Sequence, residues 1–326
     1  MTPTRVAVIG AGGFGKNHVR VVAENPRAIL THVVDTNLER AREHALPRNA
    51  EPLADYRELI GQALRQEKPD AAIVAVPTVH HAEVAVALLE AGIDVLIEKP
   101  IAPTLAETDR LIDASYRNGR MLQVGHLERF NPVIAALERL TQLPLFFEIH
   151  RMSVFTLRSL DVDVVLDLMI HDLDIVLAFA KAPLTDIRAA GISILSPKVD
   201  IANVRLEFAD GCIANLTASR VSTDKIRKLR MFQPGQYISL DYAKQTGAVF
   251  RVGGPEGIAF EQLEITPGEP LKLQFDAFLD SIHTRRQPKL NGAAARLTLE
   301  TALAVIAKIE EHGAVVQQTL ATEWRP

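Results

Sequence analysis

Asp167 and His171 stand four residues apart, with Asp174 three further on, a spacing that on a helix makes one stripe of ionisable groups. A carboxylate one turn before a histidine can accept from one ring nitrogen, fix the tautomer and raise the basicity of the other. That is the equipment of a general base. The segment from Asp167 to Lys181, DLMIHDLDIVLAFAK, is apolar on nearly every face, so its helix is expected to be buried. Each residue also has a simpler use: Asp167 as an N-cap, Asp174 as partner of a neighbouring arginine, His171 as a core histidine bonded to a backbone carbonyl. As a set in an apolar helix they point to function. A metal site built from the same three side chains is a rival reading.

A second constellation is Glu98-Lys99-Pro100, directly after the apolar run Val95, Leu96, Ile97. That run reads as a buried parallel strand. Charges at the end of such a strand are costly unless they face a cleft, and in open α/β sheets the cleft lies at the carboxyl ends of the strands. Pro100 fixes the backbone just after the lysine, so the ammonium is presented from a rigid stub. Alone, the tripeptide reads equally well as a surface ion pair.

The elements that must position these groups follow from the rest of the chain. Arg5 to Ile9 is a strand that runs into Gly10-Ala11-Gly12-Gly13-Phe14-Gly15, and a helix follows from Lys16 to Glu24. This is G-x-G-x-x-G between strand and helix. Gly10 permits the tight turn, Gly12 admits a pyrophosphate to the backbone, and Gly15 lets helix pack on strand. Free amides at the helix start then hold the phosphates. The next strand, Ile29 to Val34, ends in Asp35, placed to accept from both hydroxyls of an adenosine ribose and to repel a 2′-phosphate. NAD is therefore favoured over NADP, a preference that Arg40 softens. Asp35 could instead cap the helix that begins near Leu38.

Further strand–helix alternation through Val124 implies a doubly wound parallel sheet with right-handed crossovers. Pro77, His81, Glu98, Lys99 and His126 all fall at carboxyl ends of its strands. Beyond Gly125 strand patterns with hairpin turns dominate, such as Ala209-Asp210-Gly211 and Gln233-Pro234-Gly235, and two helices close the chain. The expected fold is an α/β Rossmann domain over 1–125, and over 126–326 an α+β domain with a large, open, mostly antiparallel sheet. The basic residues Arg220, Lys225, Arg227, Lys228 and Arg230 read as a solvated face, with Lys228, Arg230 and Phe232 on one side of a strand. Arg129, Arg151 and Arg158 are further candidates for a phosphate-bearing substrate.

Composition excludes several classes. The 326 residues are 48% hydrophobic and 23% charged, with a net charge of -4, which gives no general attraction to nucleic acid or to an anionic membrane. A single cysteine, Cys212, rules out a disulfide framework within the chain and fits a reducing compartment. No apolar run approaches the ~20 residues of a membrane helix, and Met1 to Arg5 carry no basic-then-apolar leader. The expectation is a soluble, cytoplasmic protein.

Taken together, Gly10-x-Gly12-x-x-Gly15-x-x-His18, Pro77 with His81, Glu98-Lys99-Pro100 and Asp167-x-x-x-His171-x-x-Asp174 make the chain resemble the Gfo/Idh/MocA oxidoreductase family over its whole length. The resemblance implies a sugar dehydrogenase using NAD(P), with the antiparallel sheet forming homodimers or homotetramers and with Lys99, Asp167 and His171 as the catalytic group. It implies cofactor contacts at Gly10, Gly12, Gly13, Phe14, Gly15, Asp35, Thr36, Pro77, His81, Glu98 and Lys99. Substrate contacts are expected at Arg129, Arg158, Lys99, Asp167 and His171, with no metal. Met169 stands where many members have glycine, a change expected to reshape the pocket. The stretches His150 to Asp174, Asp200 to Asn203 and Ala218 to Pro234 resemble the branch that oxidises C3 of UDP-N-acetylglucosamine, whose 3-keto product a partner aminotransferase converts to a 3-amino sugar for lipid A. Other sugars, an inositol, or a nucleotide-sensing role without chemistry are the alternatives.

Overall fold

A computed structural model of the chain describes residues 2–63, 68–156, 162–253 and 257–323. The chain divides into two compact units, Met1–Leu127 with Glu269–Arg296, and Glu128–Gly268 with Leu297–Pro326.

The first unit alternates strand and helix: β1 (Thr4–Ile9), α1 (Gly15–Glu24), β2 (Ala28–Val34), α2 (Leu38–Ala45), β3 (Glu51–Leu53), α3 (Arg57–Ala63), β4 (Ala71–Val74), α4 (His81–Glu90), β5 (Asp94–Glu98), α5 (Leu105–Arg117) and β6 (Leu122–Gly125). The strands form one parallel sheet in the order β3-β2-β1-β4-β5-β6. β4 and β5 are buried along their whole length, which is why they read as unbroken apolar runs. The order reverses between β1 and β4, and such a switch point is where α/β sheets bind ligands, beyond the carboxyl ends of the strands. The sequence pattern shows neither β3 nor α3, because a three-residue edge strand holding Pro52 is too short to display a period.

The second unit contains α6 (Pro132–Leu140), β7 (Phe146–Val154), a turn of π-helix (Val165–Met169) leading into α7 (Ile170–Phe179), and the strands β8 (Leu184–Ile192), β9 (Ile201–Phe208), β10 (Ile213–Ser222), β11 (Ile226–Gln233), β12 (Gln236–Asp241), β13 (Thr246–Val252) and β14 (Ile258–Gln262). The chain ends in α8 (Pro270–Thr284) and α9 (Gly292–Glu323). The eight strands form one sheet in the order β14-β13-β12-β11-β7-β10-β9-β8, antiparallel at every pairing except β7 with β10. Its core face carries Phe147, Ile149, Leu216, Leu229 and Met231, in one cluster with Val133 and Ile134 of α6, Leu173 and Val176 of α7, and Val305 of α9. Lys228, Arg230 and Phe232 alternate with buried Leu229 and Met231 and stand exposed on the opposite face, as the strand period requires.

One sequence expectation needs correction. α8 falls in the stretch assigned by order to the second domain, yet Leu271, Phe275, Phe278 and Leu279 pack with Val6, Val8, Val22 and Val33 of the first unit's core. The apolar stripe is legible in sequence; which sheet it covers is not. Met169 is fully buried in the second unit's core cluster, so it can affect a pocket only through its neighbours.

Candidate active site

In the first unit a cleft of about 630 Å³ opens beyond the carboxyl ends of β1, β2 and β4. Gly10, Gly12, Gly13, Asp35, Thr36 and Pro77 line it, together with Arg40 and the side chains of Tyr56, Arg57 and Glu83. The glycines divide their work as the motif requires. Gly10 has φ +89°, and a Cβ there would lie 2.6 Å from the Ala75 carbonyl oxygen. A Cβ on Gly15 would lie 1.8 Å from the Gly10 carbonyl oxygen, so only glycine lets α1 approach β1 so closely. At Gly12 a Cβ would meet nothing within 4 Å, which leaves the loop open to a ligand on the cleft side.

Asp35 is buried, and its carboxylate accepts from the amides of Ala11 at Oδ2 and Asn37 at Oδ1, both at 2.9 Å. Arg40 Nη1 lies 3.4 Å from each oxygen. Two amides leave acceptor capacity for ribose hydroxyls. The cap of α2 is Asn37, which accepts from the Arg40 amide at 3.2 Å, so Asp35 is not spent on capping. These residues fit a dinucleotide: a pyrophosphate against Gly12 and Gly13 at the start of α1, and an adenosine ribose at Asp35.

Lys99 follows β5 and is half-buried, and its peptide bond to Pro100 is cis. Glu98 points to the interior, where His18 Nε2 donates to its Oε1 at 2.7 Å. His81 is buried too, with its ring nitrogens 2.9 Å from the carbonyl oxygens of Pro100 and Val76. Of the other positions expected to touch the cofactor, Phe14, Gly15, His81, Glu98 and Lys99 stand outside the lining of this cleft.

In the second unit Asp167 lies in the π-turn and His171 in the first turn of α7. Between Val164 and Val176 only Leu166, Asp167, Leu168 and His171 are less than fully buried, so one partly open side presents both candidate groups. Asp174 does not share it. Asp174 is buried on the inner side of α7. There it accepts from Arg129 Nη1 at 3.4 Å and lies 3.5 Å from Thr298 Oγ1. Arg129 is buried beside Asp174, which it contacts through Nη1, and Arg158 lies outside the described residues. Among the described residues no three His, Cys, Asp or Glu side chains converge to hold a metal ion.

What sequence reading missed lies beneath His171. Asp172 is buried and takes a two-pronged contact from Arg151, at 2.8 Å from both Nε and Nη2. Arg151 Nη1 also donates to Glu128 at 3.0 Å, and Arg227 Nη1 donates to the same oxygen at 3.0 Å. Burial alone would lower the Arg151 pKa, but the two carboxylates hold it above the ordinary guanidinium range. Burial alone would raise Glu128, but Arg151 and Arg227 hold it below the ordinary carboxylate range. Arg151, expected among the phosphate candidates, is thus a core residue. So is Arg220, which donates to the carbonyls of Val162 and Val199, the latter at 2.9 Å. Nothing in the local pattern distinguishes these arginines from surface ones, since each partner lies far away in sequence.

A pH dependence follows. Burial lowers the pKa of His81 below its ordinary 6.5, with the two carbonyls only partly opposing, so the folded chain binds fewer protons there than the unfolded one. That stability is lost as pH falls from 6.5 toward the lowered value. Glu128, lowered from 4.5, contributes stability that is present above 4.5 and lost as pH falls through its folded value. The melting temperature is expected to decline continuously between about pH 7 and pH 4, and His81→Leu should remove the upper part of the decline. A wild-type melting temperature that stays flat down to about pH 5 would refute the His81 contribution.

Comparison with known proteins places these features. Residues 4–126 match the family model described as "Oxidoreductase family, NAD-binding Rossmann fold", and residues 146–232 match the GFO/IDH/MocA C-terminal domain. The chain is 33% identical over 316 residues to a UDP-N-acetylglucosamine 3-dehydrogenase of Acidithiobacillus ferrooxidans, across 95% of this chain and 98% of that protein. A solved structure of that enzyme, GnnA, superposes with a TM-score of 0.88 at 32% identity, covering 96% and 99% of the two chains. An inositol 2-dehydrogenase of Pseudarthrobacter chlorophenolicus is 28% identical over 231 residues, 66% of this chain and 67% of that one.

Proposed function

The chain belongs to the Gfo/Idh/MocA oxidoreductase family, and on that footing we propose that it oxidises the C3 hydroxyl of UDP-N-acetylglucosamine with NAD, giving the 3-keto sugar nucleotide. The observation that carries the reading is the end-to-end similarity to the Acidithiobacillus enzyme, 33% over 95% of this chain. NAD, when bound, accepts the hydride that leaves C3. The residues of the chain do the rest. Gly12 and Gly13 hold the diphosphate of the cofactor against the start of α1, and Asp35 takes the ribose hydroxyls. His171, oriented by Asp167, takes the hydroxyl proton as general base. Lys99 hydrogen-bonds the same oxygen and favours its developing negative charge. In this reading the product passes to an aminotransferase that makes a 3-amino sugar for lipid A, in the cytoplasm. The solvent face of the second sheet carries the contacting row Phe146, Phe232, Tyr237, Phe250 and Phe260, which supports assembly of like chains through that face.

Incubation with NAD and UDP-N-acetylglucosamine, with a hydroxylamine trap for the ketone and identification of the product by mass, tests the reading. The oxime of a ketone two hydrogens lighter than the substrate is expected, formed with loss of water, together with NADH. Reduction of NAD by a free inositol or sugar, with none by the nucleotide sugar, would replace it with a polyol dehydrogenase. In the same assay Asp35→Ser should move the NAD/NADP ratio of kcat/KM toward NADP by about tenfold or more, because Arg40 then loses its carboxylate partner.

A further inference from the structure

Two buried histidines grip the segment that carries Lys99, and neither has a task in the chemistry above. His18 is fully buried in α1, and its Nε2 holds Glu98 Oε1 at 2.7 Å. On the other side of that carboxylate lies Gly125 of β6, where a Cβ would come within 2.7 Å of Oε1. Glu98 is therefore clamped between the helix of the glycine loop and the neighbouring strand. The second grip is at Pro100, whose carbonyl oxygen lies 2.9 Å from His81 Nδ1, while His81 Nε2 lies 2.9 Å from the carbonyl of Val76, beyond β4. Lys99 sits between the two anchor points. With the Glu98 side chain and the Pro100 carbonyl both held, the backbone from which the lysine departs is fixed on either side.

We propose that His18 and His81 are positioning residues for Lys99, with His18 tying the glycine loop directly to it. This rests on the catalytic role of Lys99 given above. Phe14, at the end of the glycine loop, sets its ring edge-on to His18 with centroids 5.4 Å apart, so the loop that holds the pyrophosphate and the anchor of Glu98 form one packed unit. The distances explain why these two ring side chains are needed there: each reaches, from a helix, a group at the end of a strand that apolar residues would leave unpaired in the interior.

The test compares His18→Leu with His18→Gln and His81→Leu with His81→Gln, because the glutamine amide can still donate. Where His18→Leu does not fold, His18→Leu/Glu98→Met removes the buried carboxylate together with its partner. In the folded leucine variants kcat should fall about 10²-fold, as for a misplaced catalytic group, while calorimetric NAD affinity changes by no more than about threefold. The glutamine variants should recover to within about tenfold of wild type. Competitive acetylation of all lysines, read by mass spectrometry without substrate, should show the reactivity of Lys99 alone shifted, by about tenfold, the equivalent of one pKa unit. Unchanged Lys99 reactivity and kcat in the leucine variants would overturn the proposal. If instead Lys99→Met retains full activity, the catalytic reading of Lys99 fails, and the acetylation pattern alone decides whether the histidines position it.

Discussion

Lys99→Met is expected to lower kcat for oxidation of UDP-N-acetylglucosamine by about 10³-fold, and His171→Asn by a similar factor of about 10²–10⁴, with both proteins folded. The size of the effect follows from the two jobs that oxidation of an alcohol imposes. The hydroxyl proton must go to a base, and the oxygen must carry negative charge while the hydride leaves. Neutral methionine keeps the length and apolar stem of lysine but supplies neither a donor nor a charge. Asparagine at His171 keeps a polar group but cannot take the proton. Because the proposed cofactor residues, Asp35 and the glycines, lie in the first unit, calorimetric NAD affinity should move little in the His171 variant. The roles can also be exchanged, and pH–rate profiles separate the cases. If His171 is the base, the acid limb of kcat disappears in His171→Asn and persists in Lys99→Met; the reverse pattern assigns the base to Lys99. Near wild-type rates in both variants would sink the scheme.

Arg151→Met should cost about 3–5 kcal/mol of stability, a large share of what a domain possesses. The guanidinium is fully buried and bonded to Asp172 and Glu128, and its removal leaves Asp172 an unpaired interior charge. Glu128 suffers less, because Arg227 and Asn131 still donate to it. The double variant Arg151→Met/Asp172→Leu should therefore recover most of the loss, since two charges leave together and two apolar side chains replace them. Urea unfolding of the three proteins decides the matter. A single variant that unfolds within about 1 kcal/mol of wild type would show that the cluster is surface-like in its energetics, contrary to its burial.

The features legible without a structure are those whose chemistry is carried by neighbours in the chain. The glycine loop is six residues long, and two of its constraints, the positive φ of Gly10 and the close approach of Gly15 to the Gly10 carbonyl, are met within one strand–turn–helix. Asp35 is marked by its place at the end of β2, and Lys99 by its place after an apolar strand. The alternation of strands and helices up to Gly125, and of strands with turns beyond it, determined the two sheets and their sense, because a parallel sheet buries both faces of its strands whereas an antiparallel one here leaves a face to solvent.

Other assignments needed contacts between residues far apart in the chain. His18 and Glu98 are eighty positions apart, and only the fold brings the two side chains together. Asp172 and Asp174 flank the same turn as His171, yet Arg151 and Arg129 fix them as buried counter-charges. The sequence by itself determined which residue types stand at the strand ends, since local backbone geometry and the period of burial are written in adjacent residues. Only the tertiary structure decided which charged groups face the cleft and which neutralise one another in the core, because the cost of burying a charge depends on a partner that the chain brings from elsewhere.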